Sequence, residues 1–542
     1  MKKSIIFFLF LSSVLSNAQA QSKADYTWVL GYPTLLPGQP NIEKYGGMFL
    51  HFTESSVQVE KFDIFAGPPS AVANDTAGNL QFYTNGCGVY SHNMQLMENG
   101  DGINVGGSLY ASTCLKYNIY LVVRSGALIL PQPGEEKKYV QFHLRGEEEL
   151  DPTSVNGYRD LFDHFYHTDV DMAANGGLGK VTAKNQIVVA DSLHDAVCAV
   201  RHGNGRDWWI IIPRGEGRQF WKILLNPEGI QTPVLDSYPP YAPFEVRYFD
   251  FDTGEPIIPE EYAFESWAGQ ATFSPDGTKY CRIIKAEAVE IYDFDRCTGH
   301  MKLLRTLPYP GYYRSDSTYP ILASGLAVSP NNRYLYFNNN ETLYQFDMCD
   351  ERIAQGDFEV IAEYNGGNDD GFTTDFFQMR NAPDGKIYMA ASNSVKSLHV
   401  INAPDQPGQA CHFVQQGLKL PRFYAWVINY FPNFRLYDAP GSPCDTLGID
   451  APGPPRPKYT FEDFRLFPNP ASQEAILYLP HCNDGARVRV WNVAGQLIRD
   501  IPFINGKEVY RMDISDWASG TYIVAAYIDA DQPTIRRLVV VH

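Results

Sequence analysis

A repeated two-strand pattern limits what residues 26–437 can fold into. Its clearest copy runs from Ala271 to Tyr280, where Pro275-Asp276-Gly277 separates two short runs rich in apolar and aromatic residues. Asp-Gly and Asn-Gly steps adopt a positive φ at low cost, so each copy predicts a β-hairpin. Five further copies lie at Val72–Tyr83, Leu128–Phe142, Val197–Ile212, Leu326–Phe337 and Met379–Met389. Six related hairpins predict a repetitive, all-β body.

The spacing of these hairpins favours a β-propeller over residues 26–437. A third strand usually follows each hairpin, as in Val289–Phe294 and Leu343–Asp347. Units of this kind that repeat along a chain with almost no helical periodicity are typical of propeller blades. The chain ends predict a seventh blade, which would close the ring and remove its open edges. Its strands are expected at Trp28–Tyr32, Met48–Phe52 and Val57–Phe62, with a fourth strand within Val427–Leu436.

Residues 459–542 predict a second, smaller β domain. The runs Ile476–Leu479, Val488–Val493 and Tyr522–Tyr527 are rich in apolar, β-branched and aromatic residues, and turn-forming residues separate them. This is the pattern of short antiparallel strands, and it predicts a small immunoglobulin-like β-sandwich. Residues 438–458 contain six prolines, which favour an extended linker between the two domains.

Three short motifs follow one another in this last domain. They are Phe467-Pro468-Asn469-Pro470, then Val488–Gly495, then Gly520–Val524. In this order, at the terminus, they resemble the type A C-terminal sorting domain read by the type IX secretion machinery of Bacteroidetes. The resemblance is carried by Pro468, Asn469, Pro470, Gly495, Gly520 and Tyr522. It implies that this machinery is a partner of the tail, and that the protein is secreted or displayed on the outer face of the cell.

The body is similar to the propellers of other Bacteroidetes proteins that carry such tails. The segments that carry this second resemblance are Gly78–Gly86, Asn175–Gly179 and Gly205–Trp209. It concerns the fold, because propellers serve enzymes, adhesins and scaffolds alike.

The amino terminus, residues 1–20, has the layout of a secretory signal peptide. Lys2 and Lys3 precede an apolar stretch, and Ala18-Gln19-Ala20 supplies the small residues of a cleavage site. Cleavage is expected after Ala20. No later stretch approaches the length of about 18 apolar residues that a membrane-spanning helix requires. We therefore expect no transmembrane segment once the signal peptide is removed.

The net charge of −18 bears on the partners of the body. An acidic protein is not attracted to the phosphate backbone, so nucleic acid is not an expected partner. The charge is compatible with a glycan or a protein as the extracellular ligand, and it selects neither.

Nine cysteines in an exported chain predict disulfides. Cys87 with Cys114 and Cys411 with Cys444 are expected to pair, because each pair encloses one loop region. Cys297 has two candidate partners, Cys281 and Cys349. Cys482 is expected to stay free. No Cys-x-x-Cys spacing is present, so we expect neither a metal nor a cofactor.

The best candidate for chemistry is the run from Asp163 to Asp171. On a strand, His167, Asp169 and Asp171 share one face, which offers an imidazole and carboxylates to a metal ion or to acid–base catalysis. The alternative is a solvated outer strand face, because residues two apart on a strand lie roughly 6.6 Å apart. Arg201, His202 and Arg380 are expected near the central channel, because they lie near the ends of first strands.

Two function classes remain open at this point. One is a non-catalytic binding or adhesion module at the cell surface, which the aromatic richness and the lack of catalytic motifs favour. The other is an extracellular hydrolase or lyase acting on glycans or peptides. An enzyme of that kind needs carboxylates or a His/Tyr/Arg set that converges from different blades, and such convergence is a property of the fold.

Overall fold

The structure is a computed structural model. It describes residues 22–32, 41–63, 71–118, 127–150, 158–215, 218–238, 248–250, 256–257, 269–284, 288–308, 312–313, 325–348, 358–439, 442–447, 465–478, 487–502, 509–527 and 534–542. The expected signal peptide with Ala20, most of the expected linker, Cys349 and Cys482 lie outside these residues.

Seven antiparallel sheets follow one another along the described part of residues 22–439. The first three sheets are formed by β1 (Thr27–Leu30), β2 (Gly47–Phe52) and β3 (Val57–Phe62); by β4 (Ala71–Asn74), β5 (Leu80–Thr84) and β6 (Val89–Ser91); and by β7 (Ala127–Pro131), β8 (Lys138–Leu150), β9 (Tyr158–Asp171) and β10 (Lys180–Leu193). The fourth is formed by β11 (Cys198–Arg201), β12 (Trp208–Pro213), β13 (Gln219–Asn226), β14 (Gly229–Ile230) and β15 (Val234–Ser237). The short strands β16 (Tyr248–Asp250) and β17 (Pro256–Ile257) come next.

The last three sheets repeat a four-stranded meander. They are formed by β18 (Ala271–Phe273), β19 (Lys279–Ile284), β20 (Ala288–Phe294) and β21 (Met301–Pro308); by β23 (Gly325–Val328), β24 (Tyr334–Asn338), β25 (Thr342–Asp347) and β26 (Glu359–Glu363); and by β29 (Met379–Asn381), β30 (Ile387–Met389), β31 (Ser394–Ile401) and β32 (Phe413–Ala425). Between them lie β22 (Tyr312–Tyr313), which pairs with β16, and the small hairpin of β27 (Asn368–Asp369) and β28 (Phe372–Thr373). The helices of the described residues are short: α1 (Ile42–Tyr45), α2 (Leu115–Tyr117) and the π-helical turn Tyr110–Cys114.

The hairpin turns form for the reasons that their residues predict. In the turn between β18 and β19, the carboxylate of Asp276 accepts hydrogen bonds from the backbone N–H and the hydroxyl of Thr278, both at 3.0 Å. Gly277 has φ +73°, and a Cβ there would lie 2.7 Å from side-chain atoms of Val200 and Leu436. Glycine is therefore required at this position for two reasons: its positive φ, and the close approach of the Val200 and Leu436 side chains.

The seven sheets close into a ring. First strands of consecutive sheets contact one another: β1 with β4, β4 with β7, β11 with β18, β18 with β23, and β23 with β29. The third and fourth sheets share one buried apolar cluster, which includes Leu128, Phe142 and Ile210. The seventh sheet meets the first through β32 and β2, and the Trp28 ring lies 6.1 Å from that of Tyr388. The predicted β-propeller is therefore confirmed, and it has seven blades.

The prediction of a fourth strand for the first blade within Val427–Leu436 is wrong. Among the described residues, Val427–Leu436 contains no strand. These residues belong to a segment, 426–439, that we call the strap. It begins beside β1, where the N–H of Ala425 donates to the carbonyl of Gly31 at 3.1 Å. The side chain of Asn429 then accepts from the N–H of Val29 at 2.7 Å, so a side chain replaces the backbone ladder.

A buried arginine also joins the two ends of the ring. Arg422, on β32, is fully buried, and its guanidinium donates to the carbonyl of Phe62 at 2.7 Å and to that of Gly47 at 3.3 Å. Its charge is paired with Asp63 at 2.6 Å. Side-chain contacts therefore hold the first and seventh blades together where a shared strand would otherwise do so.

One expected disulfide is present and the other is wrong. Cys87 and Cys114 are bonded, with Cα atoms 5.5 Å apart. Cys444 bonds to Cys297 and leaves Cys411 as a buried thiol. Cys411 packs into the apolar cluster between the sixth and seventh blades, away from the strap.

Two other sequence expectations need correction for related reasons. Cys281 is a buried thiol in the cluster between the fifth and sixth blades, so it does not pair with Cys297. Asp438 and Cys444 were placed in the linker but are attached to the body. Asp438 forms a β-bridge with Asn204, and the disulfide holds Cys444.

The carboxyl-terminal residues form a β-sandwich, as predicted. One sheet has the order β33-β34-β37, and the other has the order β36-β35-β38-β39. The strands are β33 (Arg465–Phe467), β34 (Glu474–Tyr478), β35 (Arg487–Asn492), β36 (Leu497–Pro502), β37 (Val509–Asp513), β38 (Gly520–Tyr527) and β39 (Thr534–Val540). Both sheets bury apolar side chains in one core, which includes Leu477, Val490 and Leu538. Over the described residues, no helix is long and apolar enough to cross a membrane.

Candidate functional site

A cavity of about 540 Å³ opens where the strap crosses the ends of several inner strands. The hairpin turns that follow β18 and β29 form part of its wall, and residues 429–433 of the strap form another part. The remaining wall includes residues of β11, residues just before β1, and Pro330 in the turn after β23. Five blades and the strap therefore meet at this cavity, which is the candidate site.

Arg380 supplies a buried positive charge to the cavity wall. This residue of β29 is 5% exposed, and its guanidinium lies 5.1 Å from the centre of the Tyr430 ring. One of its N–H groups donates to the carbonyl of Met379 at 3.3 Å. Burial lowers the pKa of Arg380 to about 10, while Tyr430 and Cys198 act in the opposite direction. The guanidinium therefore remains charged at neutral pH.

Tyr430 fixes the strap against β11. The backbone N–H of Ala199 donates to the Tyr430 hydroxyl at 3.0 Å, and that hydroxyl lies 3.2 Å from the carbonyl of Ala199. Cys198 is the neighbouring residue, and burial raises the pKa of its thiol to about 12. The thiol is therefore neutral, and a neutral buried thiol is not a nucleophile.

The carboxyl groups at the cavity differ in their surroundings. Asp25 forms a two-point ion pair with Arg435 of the strap, and one of its two contacts measures 2.7 Å. Asp405 accepts a hydrogen bond from the backbone N–H of Asn331 at 2.8 Å. Burial raises the pKa of Asp405 above its ordinary value, and that hydrogen bond opposes the rise.

Only one of the three residues expected near the channel lines the cavity, and it is Arg380. The guanidinium of Arg201 stacks over the Trp208 ring at 3.9 Å and donates to the carbonyl of Arg206. His202 accepts from the N–H of Asn204 through Nδ1, so its Nε2 donates to the carbonyl of Cys297 at 2.9 Å. Arg201 and His202 thus hold the turn between β11 and β12.

The residues predicted as the best candidate for chemistry share a different groove. His167, Asp169 and Asp171 line an open groove of about 650 Å³ that also includes the turn between β13 and β14. The ring of His167 lies 2.9 Å from Asp169 through Nδ1, whereas Asp171 accepts from the backbone N–H of Ala173 at 2.8 Å. Asp171 therefore caps a turn. No group of three or more His, Cys, Asp or Glu suited to a metal ion occurs in the part of the chain that the structure describes.

The strap residues that line the cavity are not among the site residues that the sequence predicts. They lie in the segment that the sequence predicts as a strand, and they include Asn429, Tyr430 and Arg435. Their side chains close the ring and line the cavity. A signal is present in the sequence: the run Val427–Leu436 combines two amides, three aromatic residues and a proline before the linker. Such a run suits an irregular segment whose side chains make the contacts.

The six sorting-motif residues lie at the turns and edges of the sandwich. Asn469 lies between Pro468 and Pro470, and its side chain donates to the carbonyl of Arg537 at 2.6 Å and accepts from the N–H of Val539 at 2.9 Å. Gly495, with φ +77°, forms the turn between β35 and β36. Gly520 begins β38, and the Tyr522 hydroxyl donates to the carbonyl of Ala518 at 2.9 Å.

Comparison with known proteins bears on the tail first. Residues 465–541 match the family model described as the secretion system C-terminal sorting domain. The chain is therefore an exported β-propeller protein, secreted or held at the cell surface. More particularly, it is cargo of the type IX secretion machinery. No curated protein matches the sequence.

Solved structures with some likeness to the body share little sequence with it. A protein from Lactobacillus plantarum has 11% identity and a TM-score of 0.41, and the match covers 75% of this chain and 99% of that one. A periplasmic gluconolactonase from Pseudomonas aeruginosa has 14% identity and a TM-score of 0.36 over 74% and 99%. A β-propeller domain from Myceliophteria thermophila has 9% identity and a TM-score of 0.32 over 67% and 96%. At these values the likeness assigns neither a ligand nor a reaction.

Proposed function

We propose that the exported protein is a non-catalytic binding module, and that its strap cavity takes the acidic sugar unit of an extracellular glycan. The observation that carries this proposal is the set of groups that converge there. A buried guanidinium, Arg380, lines the cavity together with aromatic rings and side-chain amides. The aromatic residues of the lining include Phe273, Tyr430 and Phe431, and the Tyr430 ring lies 5.1 Å from the guanidinium.

Each of these groups suits a part of an acidic sugar. A guanidinium binds a carboxylate through charge-assisted hydrogen bonds, and burial strengthens the attraction. Aromatic faces pack against the apolar C–H faces of a sugar ring. The amide nitrogen of Asn381 donates to the carbonyl of Val328 at 2.8 Å, and its amide oxygen is suited to accept from a sugar hydroxyl. A cavity with a few polar groups among apolar walls is the usual form of a small-ligand site.

The state of the acidic groups supports binding over catalysis. Both carboxylate oxygens of Asp25 accept hydrogen bonds from Arg435, so Asp25 is already engaged within the protein. Asp405 is the cavity acid with a raised pKa, so the alternative function, a hydrolase or lyase, rests on Asp405 as general acid. A glycoside hydrolase would need a second carboxylate opposite Asp405. The remaining acidic residue of the lining is Glu54, which lies on the exposed turn between β2 and β3.

Isothermal titration of the full mature chain with a trimer of galacturonic acid tests the proposal, and the galactose trimer serves as the neutral comparison. We expect binding of the acidic trimer only, and Arg380→Gln should weaken it about tenfold or more, because a hydrogen bond to a charged group is worth roughly 1.5–3 kcal/mol. Arg333→Gln, a change at an ion pair outside the cavity lining, is the matched control. Equal affinity for both trimers, or normal affinity in Arg380→Gln, would show the proposal to be wrong.

The enzyme alternative has its own test. Prolonged incubation with acidic and neutral polysaccharides should release no reducing ends. Release that is abolished by Asp405→Asn would instead support the hydrolase or lyase.

We also propose the remaining details of export. Residues 1–20 direct passage into the periplasm and are removed after Ala20, and residues 459–542 then act as a type A sorting domain in a Bacteroidetes cell. The sorting domain is removed at the outer membrane, and the body is released or joined to the cell surface. The order of the tail motifs and the family match at residues 465–541 support this sequence of events.

A further inference from the structure

Exposed apolar side chains are more numerous on the outer face of the four-stranded sheet of the sorting domain than on that of the three-stranded sheet, where Phe467 is 46% exposed beside Ile476. On the sheet β36-β35-β38-β39, alternate residues such as Val490 and Val524 point into the core and are fully buried. The residues between them point outward. Among these, Ile523 is 41% exposed, Ile535 is 57% exposed and Leu497 is 50% exposed.

The strand register brings the outward residues together in rows. Trp491 lies opposite Leu497 on one side and Ile523 on the other, and Ile523 lies opposite Arg537. In the next row, Arg489 lies beside Ala525, which lies beside Ile535. The face therefore carries apolar or aromatic side chains on all four strands, with charged side chains among them. We call it the outer face of the sorting domain.

Positive charge accompanies this apolar surface. Arg487 and Arg489 stand in the outward row of β35, and Arg537 stands in that of β39. The guanidinium of Arg489 lies 5.4 Å from the centre of the Tyr527 ring. Asp500, paired with Arg487 and with Arg489, is the acidic residue of this face among the described residues.

We propose that this outer face is the surface by which the sorting domain docks on the type IX machinery, and that the receiving surface is a protein surface both apolar and acidic. Contiguous exposed apolar area on a small domain marks an interaction site, and aromatic and arginine side chains are the usual anchors of such sites. The excess of arginine selects an acidic partner, because like charges across an interface cost several kcal/mol. The inference rests on the sorting domain and is independent of the strap cavity.

Point variants in a native-type host test the docking face. Ile523→Thr removes apolar contact area, and Arg489→Glu reverses one charge. Each should lower the fraction of protein that reaches the surface or the medium about tenfold, as expected when an anchor at an interface is lost. The matched controls are Ile476→Thr and Arg511→Glu, which lie opposite each other on the other sheet. Both controls should export within about twofold of the wild type, because substitutions outside the anchors of an interface have near-neutral effects.

Two further measurements make the result decisive. Limited proteolysis of the full chain should give the same protection of residues 465–542 in all four variants. If Ile523→Thr loses that protection, Ile535→Thr replaces it. A photoreactive side chain at position 523, but not at 476, should cross-link to an acidic component of the machinery, and the yield should fall as the ionic strength rises.

Several results would overturn the proposal. One is normal export of well-folded Ile523→Thr and Arg489→Glu. Another is an equal loss of export in the variants and their controls. A cross-link from position 523 to a second copy of this chain or to its own propeller would assign the face to a different contact. Tight, Arg489-dependent binding of the purified chain to vesicles of anionic lipid would assign it to a membrane surface.

Discussion

The disulfide between Cys297 and Cys444 ties the chain just after the strap to the fifth blade, and its removal gives a prediction with a calculable size. The two cysteines are 147 residues apart in sequence. In the chain-entropy account, a cross-link closing a loop of that length stabilises the folded state by about 5 kcal/mol, because it restricts the unfolded chain. The bond between Cys87 and Cys114 spans only 27 residues, and the same account gives about 3.5 kcal/mol.

The double variants Cys297→Ser/Cys444→Ser and Cys87→Ser/Cys114→Ser separate the two contributions without leaving an unpaired thiol. Guanidinium unfolding of the oxidised mature protein measures them through tryptophan fluorescence. Trp208, which is fully buried, reports the fourth blade, and Trp209 donates its indole N–H to the carbonyl of Arg296, next to Cys297. We expect the Cys297/Cys444 variant to lose more stability, by about 1.5 kcal/mol.

The same variant tests whether the disulfide acts on the unfolded or the folded state. In the folded state, the ion pair between Arg435 and Asp25 and the hydrogen bonds of Tyr430 also hold the strap. The affinity of the cavity for its ligand should therefore change less than about twofold, because those contacts remain. A smaller loss of stability than in the Cys87/Cys114 variant would refute the loop-length reasoning. A large loss of affinity would show that the bond positions the strap directly.

Three further predictions follow from other parts of the chain. Glu290 is fully buried and paired with Arg218 and Arg282, so Glu290→Gln should cost about 3–5 kcal/mol in denaturant unfolding, whereas Glu98→Gln, at an exposed pair, should have little effect. Burial lowers the pKa of His399 to about 4, so the stability contributed by its neutral ring is complete above pH 6.5 and is lost as the pH falls towards 4. The variant His399→Gln should therefore show a shallower decline in the free energy of unfolding over that range. Deletion of residues 459–542 should leave a folded, protease-resistant propeller in the periplasm; its continued appearance in the medium would contradict the sorting role.

The blades were predictable because each hairpin is specified by residues that are close in sequence. Asp276 and Gly277 set the turn between β18 and β19 through bonds to their immediate neighbours and through one favourable backbone conformation. The tail was predictable for a related reason, since the side chain of Asn469 and the glycine at position 495 form turns that leave a recognisable motif. Turns that are determined by residues close in sequence can be predicted from short sequence motifs.

The closure between the seventh and first blades and the lining of the cavity were less predictable, because the residues that form them are distant in sequence. Asn429 meets Val29 across 400 residues, and Arg435 meets Asp25 across 410. An apolar run such as Val427–Leu436 has the composition of a strand, and only its position beside β1 shows that side chains replace the ladder. The partner of Cys444 was misjudged in the same way. Enclosure of one loop favoured Cys411, whereas the path of the strap carries Cys444 to Cys297.

The strap gives closure and binding a common physical basis. Its residues fasten the end of the seventh blade to the beginning of the first, and the same residues form one wall of the cavity. A body that ended before Trp426 would keep the closure contacts of Arg422 but lose those of the strap, together with the strap's part of the cavity wall, so weaker closure and loss of binding should appear together. A body that ends after Cys444 keeps both. The functional end of the propeller therefore lies after the disulfide, 19 residues beyond the end of the last strand at Ala425, and cleavage between Cys444 and the sorting domain should leave the ring closed.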